Sequence, residues 1–300
     1  MKFNLKLVIQ FTLFILITVF HSKLSAEIRM TGADGYELKL AKPAQRIISL
    51  APHITEVVFA VGAGKQLVGA VSFSNYPEEA LKVPQIGSYN KISYESVAGL
   101  NPDLILAWKS GNGEDMVKQL RNLGFSVHVS EPRTLPSVAK NMIDVGMLSG
   151  RDKEATIAHD KFMKKLHFLE SNFQHLTPVS TFYQVWNDPR LTVNDEHLIS
   201  DVIRLCGGRN IFADAIVLTP KVNVESVIRR DPEVIVASGM AMERPEWLDE
   251  WRAMPTMQAV AKEQLYFIPP DILQRHSPRI LDGAEMMCQY IQQAREVQGK

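Results

Sequence analysis

The chain has 300 residues, 46% of them hydrophobic and 22% charged, which is enough apolar material for one large core or two smaller ones. This composition excludes a disordered polypeptide, a collagen-like repeat and a small disulfide scaffold. Thirty-three Lys plus Arg balance thirty-three Asp plus Glu, so no basic field gathers phosphates and no nucleic-acid partner is expected.

Residues 1–26 contain no acid, carry Lys2 and Lys6, and run through an apolar stretch from Leu7 to Phe20 before ending in His-Ser-Lys-Leu-Ser-Ala. The pattern predicts a signal peptide cleaved after Ala26. The alternative, an uncleaved membrane anchor, is disfavoured because about 14 apolar residues fall short of the ~20 that a helix needs to cross a bilayer. Cleavage also removes Lys23, leaving the mature chain with a small negative formal charge. No cysteine follows the cleavage site to carry a lipid. The expected location is therefore the periplasm, with the protein diffusing freely.

After cleavage, Ile28 to Leu40 alternates around Gly32-Ala-Asp-Gly35, which predicts a small hairpin. From Arg46 the rhythm changes to short apolar runs followed by helical periodicity. Strands are predicted at Ile47–Leu50, Leu67–Ser72, Leu104–Trp108 and Phe125–Val129, with helices near Thr55–Val61 and Glu114–Leu123. Alternating strands and helices imply a mostly parallel α/β sheet. A polar stretch at Gly150 opens a long helix to about Phe173, with Ala158, Phe162, Leu166, Leu169 and Phe173 spaced by three or four. Some 21 residues make a rod of ~32 Å, long enough to span two lobes. Beyond Pro178 the rhythm resumes with a strand at Val179–Trp186, a helix at His197–Leu205, strands at Val234–Ala237 and Leu265–Ile268, and a last helix from near Pro278. The expected architecture is α/β, with two Rossmann-like lobes joined by one interlobe helix: residues 27–150 with the leading hairpin, 151–175 the helix, and 176–300 the second lobe.

The halves also repeat each other. Ile92-Ser-Tyr-Glu-Ser-Val-Ala-Gly-Leu-Asn-Pro-Asp-Leu-Ile-Leu-Ala107 matches Val222-Asn-Val-Glu-Ser-Val-Ile-Arg-Arg-Asp-Pro-Glu-Val-Ile-Val-Ala237. Each copy reads as a capping residue (Ser93 or Asn223), a short helix bearing Glu95 or Glu225, a proline, and a buried strand. Both glutamates have a purely local reading, since a carboxylate in a first helical turn interacts favourably with the helix dipole. As symmetric exposed acids they also suit arginines on a two-fold partner.

Motifs of catalysis are missing from the sequence. Gly62-Ala-Gly-Lys65 has Phe59 where a phosphate loop needs glycine and Gln66 where it needs a hydroxyl. There is no Gly-x-Ser-x-Gly and no His-Glu-x-x-His, and the eight histidines lack the spacing of a zinc helix. His53 and His276 are read as structural, no metal ligands are assigned, and no enzyme activity is expected. More suggestive are aromatics beyond strand ends, where open α/β sheets bind ligands. Trp108 and Trp186 end strands, Phe73 follows one, and Tyr89 precedes the first repeat copy. Such rigid faces suit a large, flat, partly apolar ligand, although each aromatic could equally be core packing. Cys206 and Cys288 are the only cysteines. In an oxidising compartment they are read as a disulfide rather than a metal site, with two buried free thiols as the alternative.

These features resemble the substrate-binding proteins with a helical interlobe backbone, the class III periplasmic binding proteins, which deliver vitamin B12, haem or iron-siderophores to ABC importers. The resemblance covers nearly the whole mature chain. It is strongest at Arg46-Ile-Ile-Ser-Leu-Ala-Pro-His-Ile-Thr-Glu56, Asn101-Pro-Asp-Leu-Ile-Leu-Ala-Trp108, Cys206-Gly-Gly-Arg-Asn-Ile-Phe212 and Ser277-Pro-Arg279. The vitamin B12-binding branch is nearest, through the cysteines and Trp108. The resemblance implies corrinoid-facing aromatics at Phe73, Tyr89 and Trp108, and a ligand-contacting loop at Asp271, Ile272, Leu273, Gln274 and Arg275. It also implies permease docking through Glu95 and Glu225, and a Cys206–Cys288 disulfide. Phe73 stands where that branch has Tyr, Tyr89 and Thr219 where it has Trp, and Ile272-Leu273 where it has Trp-Phe. The expectation is a monomeric periplasmic receptor that captures cobalamin or a related corrinoid as transported ligand, without a resident cofactor, and presents it to a two-fold permease of the inner membrane. The alternatives are a haem or iron-siderophore receptor of the same kind and, in another class, an exported metal- or corrinoid-dependent α/β enzyme. A stiff interlobe helix implies little closure on binding.

Overall fold

The computed structural model describes residues 27–239 and 242–300, so the expected signal peptide lies outside the described residues. The chain opens with the hairpin β1 (Ile28–Thr31) and β2 (Glu37–Leu40), whose turn places Gly35 at φ +80°. The first lobe follows as β3 (Ile47–Ser49), α1 (Pro52–Ala60), β4 (Leu67–Ala70), α2 (Tyr94–Gly99), β5 (Leu104–Trp108), α3 (Glu114–Asn122), β6 (Val127–Ser130) and α4 (Leu135–Ser149). The interlobe helix is α5 (Asp152–Leu169), continued by a π turn over Glu170–Gln174. The second lobe comprises β7 (Val179–Gln184), α6 (Leu198–Leu205), β8 (Gly208–Asn210), α7 (Val224–Arg230), β9 (Val234–Ala237), β10 (Leu265–Phe267) and α8 (Ile280–Gln298).

The two four-stranded sheets are β4-β3-β5-β6 and β8-β7-β9-β10, and every pair within them is parallel. Each lobe thus carries its strands in the order second, first, third, fourth. The internal repeat falls at the same place in both lobes, with α2 leading into β5 and α7 into β9. Its caps form as the sequence suggests: the Ser93 hydroxyl accepts from the Ser96 amide, and the Asn223 side chain accepts from the Ser226 amide. Leu104–Ala107 and Val234–Ala237 are fully buried, because helices cover both faces of a parallel sheet and leave no face for alternation.

One apolar cluster runs through both lobes, joining Ile54, Val57 and Val58 of α1 and Met142 and Val145 of α4 to Phe162 and Leu166 of α5 and Met287 and Ile291 of α8. Separate clusters fill the outer face of each sheet. The lobes are therefore welded through helices rather than strung on a flexible linker. Helix α4 is an element the sequence reading does not predict. Thr134 and Ser137 cap it reciprocally, Gly150 ends it at φ +68°, and Leu135, Val138, Met142 and Val145 are buried on one face.

Cys206, just after α6, is bonded to Cys288 in the middle of α8. Among the described residues no helix is long and apolar enough to cross a membrane.

Candidate functional site

The loops after the carboxyl ends of the first lobe's strands meet those of the second lobe at a floor built on Trp108. This residue ends β5, and its indole lies so close over Gly111 that a Cβ there would come within 1.9 Å of the ring. Only glycine leaves room for that turn. Asn112 is 6% exposed and fixes the surroundings. Its side-chain oxygen accepts from the Trp108 amide at 2.6 Å, while its amide group donates to the carbonyls of Leu50 at 2.9 Å and Tyr89 at 2.7 Å. One buried amide thereby ties three loops together, a role the sequence reading missed.

Tyr89 is exposed, with its ring 6.4 Å from that of Trp108. Phe73 is 75% exposed and sits at φ +65°, a conformation that bulky residues rarely adopt. Its loop is held from below, since the Thr55 hydroxyl on α1 bonds to both Ser49 and Ser74 at 3.0 Å. An exposed aromatic kept in a strained backbone by buried hydroxyls is the kind of local cost that functional surfaces carry. Trp186 lies half-buried in a two-residue hairpin with Arg190–Leu191, its indole N–H donating to the Asp188 carbonyl at 2.9 Å.

The loop at 271–275 divides by burial. Ile272 is half-buried, whereas Leu273 is wholly buried in the shared core. Leu273 therefore supports this loop from beneath, because it ends the single helical turn Pro270–Leu273 with its side chain packed into the core. Gln274 donates to the Tyr183 hydroxyl and the Gly239 carbonyl. Arg275 is spoken for by Glu56 at 2.8 Å, Asn75 at 2.8 Å and Asp271 at 2.7 Å. Glu56, only 3% exposed, also accepts from Ser277 at 2.6 Å and Arg279 at 2.9 Å. This clamp crosses from α1 to the second lobe. Both of its sides lay in segments that the family resemblance singled out, but only the fold reveals that they meet.

The histidines likewise converge. His53 on α1 and His276 from the second lobe have ring centroids 5.3 Å apart, and Trp108 touches both edge-on at 5.1 and 5.6 Å. His197, which caps α6 through its ring nitrogen, lies 6.2 Å from His276. Burial, reinforced by the nearby Arg275 guanidinium, pushes His53 down to about 3. Burial with Arg133 nearby takes His197 down to about 4. His276 is held well below the usual range by burial and by its two neighbouring imidazoles. All three are neutral at neutral pH. His53 Nε2, His276 Nδ1 and Trp108 Nε1 are buried without a hydrogen-bond partner among the described residues. The reading of lone structural histidines misses this cluster, because spacing along the chain carries no sign of contacts between lobes.

Glu95 and Glu225 are exposed in the first turns of α2 and α7. Among the described residues no group of three or more His, Cys, Asp or Glu side chains is placed to hold a metal ion. A cavity of about 1100 Å³ lies along α5, lined by Phe59, Tyr76, Ile157, Phe162, Arg279 and Leu281. It lies away from Trp108 and Tyr89 and shares with the clamp only Glu56 and Arg279.

Comparison with known proteins agrees with this architecture. The chain is 37% identical over 259 residues to the vitamin B12-binding protein of Vibrio cholerae, covering 86% of this chain and 93% of that protein. It is 35% identical over 249 residues to the vitamin B12-binding protein of Yersinia pestis, covering 83% and 87%. The solved structure of the periplasmic vitamin B12 binding protein BtuF of Vibrio cholerae superposes with a TM-score of 0.78 at 36% identity, covering 85% of this chain and 99% of that one. The periplasmic haem-binding protein RhuT of Roseiflexus shares the fold at a TM-score of 0.74 and 22% identity, covering 84% and 99%. Residues 47–272 match the periplasmic binding protein family, and the chain belongs to that family.

Proposed function

We propose that this chain captures cobalamin or a related corrinoid in the periplasm and delivers it to an ABC importer, without carrying out a reaction. The observation that carries this reading is the set of aromatic faces beyond the strand ends: exposed Phe73, and exposed Tyr89 with its ring 6.4 Å from that of Trp108, the loops of these last two being tied together by Asn112. Rigid aromatic surfaces bury a large flat ring system with little loss of side-chain freedom. The relatives at 35–37% identity are named for vitamin B12. In this reading Phe73, Tyr89, Trp108 and Trp186 contact the ligand from the first lobe and the facing hairpin. Asp271, Ile272 and Gln274 approach it from the second lobe. Arg275 acts mainly by fixing that loop.

Residues 27–150 and 176–300 serve as the two lobes and 151–175 as the rigid link between them. Glu95 and Glu225, at matching positions of the repeat, present one carboxylate each to the two halves of a permease. The test is a tryptophan-fluorescence titration of the mature chain with cyanocobalamin, dicyanocobinamide, haem and a ferric siderophore. One-to-one saturation by a corrinoid is expected. A response to haem or siderophore with none to either corrinoid rejects the proposal.

A further inference from the structure

We infer that His53, His276 and His197 form an acid-sensitive seam between the lobes, closed while the imidazoles are neutral and forced apart, with loss of cargo affinity, when they gain protons. The geometry carries the inference. His53 and Trp108 come from the first lobe, His276 and His197 from the second, and their rings pack within 5.1 to 6.2 Å of one another. Two of those imidazoles and the indole bury a nitrogen with no partner, so the seam is held by ring packing rather than by hydrogen bonds that could take up a new charge.

Among the described residues, the charged groups around the seam offer no spare counter-ion. His53 faces Arg275 across the boundary, and Glu56, one turn along α1, already serves Arg275, Ser277 and Arg279. Asp271 is paired to Arg275. His276 faces His53, His197 and Trp108. Arg133 lies near His197, with Glu131 and Glu196 bound to Arg133. A proton on His53 or His197 therefore adds positive charge beside an arginine, and one on His276 places an uncompensated charge in a buried site.

The direction of the effect follows from linkage. Groups whose pKa is depressed in the closed form favour closure fully above the ordinary histidine value, and that advantage is lost as the pH falls below it. Each histidine shifts the equilibrium toward the open form by about tenfold per pH unit below about 6.5, until its own depressed pKa is reached.

Spin labels on Lys91→Cys and Arg229→Cys, one exposed site per lobe, report the separation of the lobes; the native cysteines are already bonded to each other. The mean distance should lengthen between about pH 7.5 and about pH 5, and the affinity for cyanocobalamin should fall by roughly tenfold or more. In H53Q/H276Q both changes should shrink to the share that His197 alone contributes. In H128Q, which alters a buried histidine of the first lobe away from the seam, they should persist. A distance that does not change with pH, or that lengthens equally in H53Q/H276Q, overturns the seam. If H53Q/H276Q does not fold, the unsubstituted seam still decides: lengthening that merely coincides with loss of circular dichroism overturns it, and lengthening that precedes that loss supports it. The affinity arm rests on the proposed function. Failure of cyanocobalamin to bind at about pH 7.5 would reject that function, while the label distances would still judge the seam.

Discussion

Glu56→Gln should lower the free energy of unfolding by about 3 kcal/mol or more, because removing one partner of a buried ion pair strands the charges it had compensated. The Glu56 side chain is 2% exposed and those of Arg275 and Arg279 only 11% and 19%, so water can rescue the arginines only in part. Glutamine keeps a single acceptor oxygen, for which the Ser277 hydroxyl and the two guanidinium groups must compete. Asp271 remains beside Arg275, but among the described residues no carboxylate other than Glu56 is paired with Arg279. The clamp joins residues more than two hundred positions apart, so the loss falls on the union of the lobes as well as on each fold. Urea unfolding followed by circular dichroism measures the effect, with Glu79→Gln as an exposed control expected to stay within about 0.5 kcal/mol of the parent. A loss below about 1 kcal/mol would mean that the clamp contributes no more than a surface pair.

The second large effect concerns the Cys206–Cys288 disulfide. Replacing both cysteines by alanine should cost ~4 kcal/mol, since the bond closes a separation of 82 residues and the chain-entropy relation assigns a loop of that size about that much. Both residues are fully buried in the core shared by the lobes. The bond ties α8, which packs against α5, to the second sheet's first helix, so its loss should broaden the unfolding transition as well as lower its midpoint. Thermal unfolding of the double variant and of the parent, both without reductant, gives the comparison. Equal midpoints would show that the shared core alone holds α8 in place.

The architecture was legible in the sequence wherever a pattern was local. Parallel buried strands announced themselves as runs such as Leu104-Ile-Leu-Ala107 and Val234-Ile-Val-Ala237, and the repeat placed them in equivalent lobes. The caps at Ser93 and Asn223 needed only one residue's chemistry. Helix α4 escaped even though Leu135, Val138, Met142 and Val145 carry the period of a helix, because its polar flanks resemble a linker before the long helix. At the site, aromatics beyond strand ends could be named from position alone. The groups that hold them could not. Asn112 joins three loops, Glu56 meets Arg275 and Arg279 across more than two hundred residues, and His53 meets His276 across the lobe boundary. Leu273 shows the opposite limit, since a residue inside a stretch expected to contact ligand can still turn its side chain into the core.

A crystal structure of the mature chain with cyanocobalamin tests the account most directly, because it places the cargo. The corrinoid should lie in the crevice beyond the strand ends, against Trp108 and Tyr89, with Phe73 on its edge and the lobes little displaced. A corrinoid seated instead in the groove along α5, among Phe59, Ile157 and Phe162, would contradict the account.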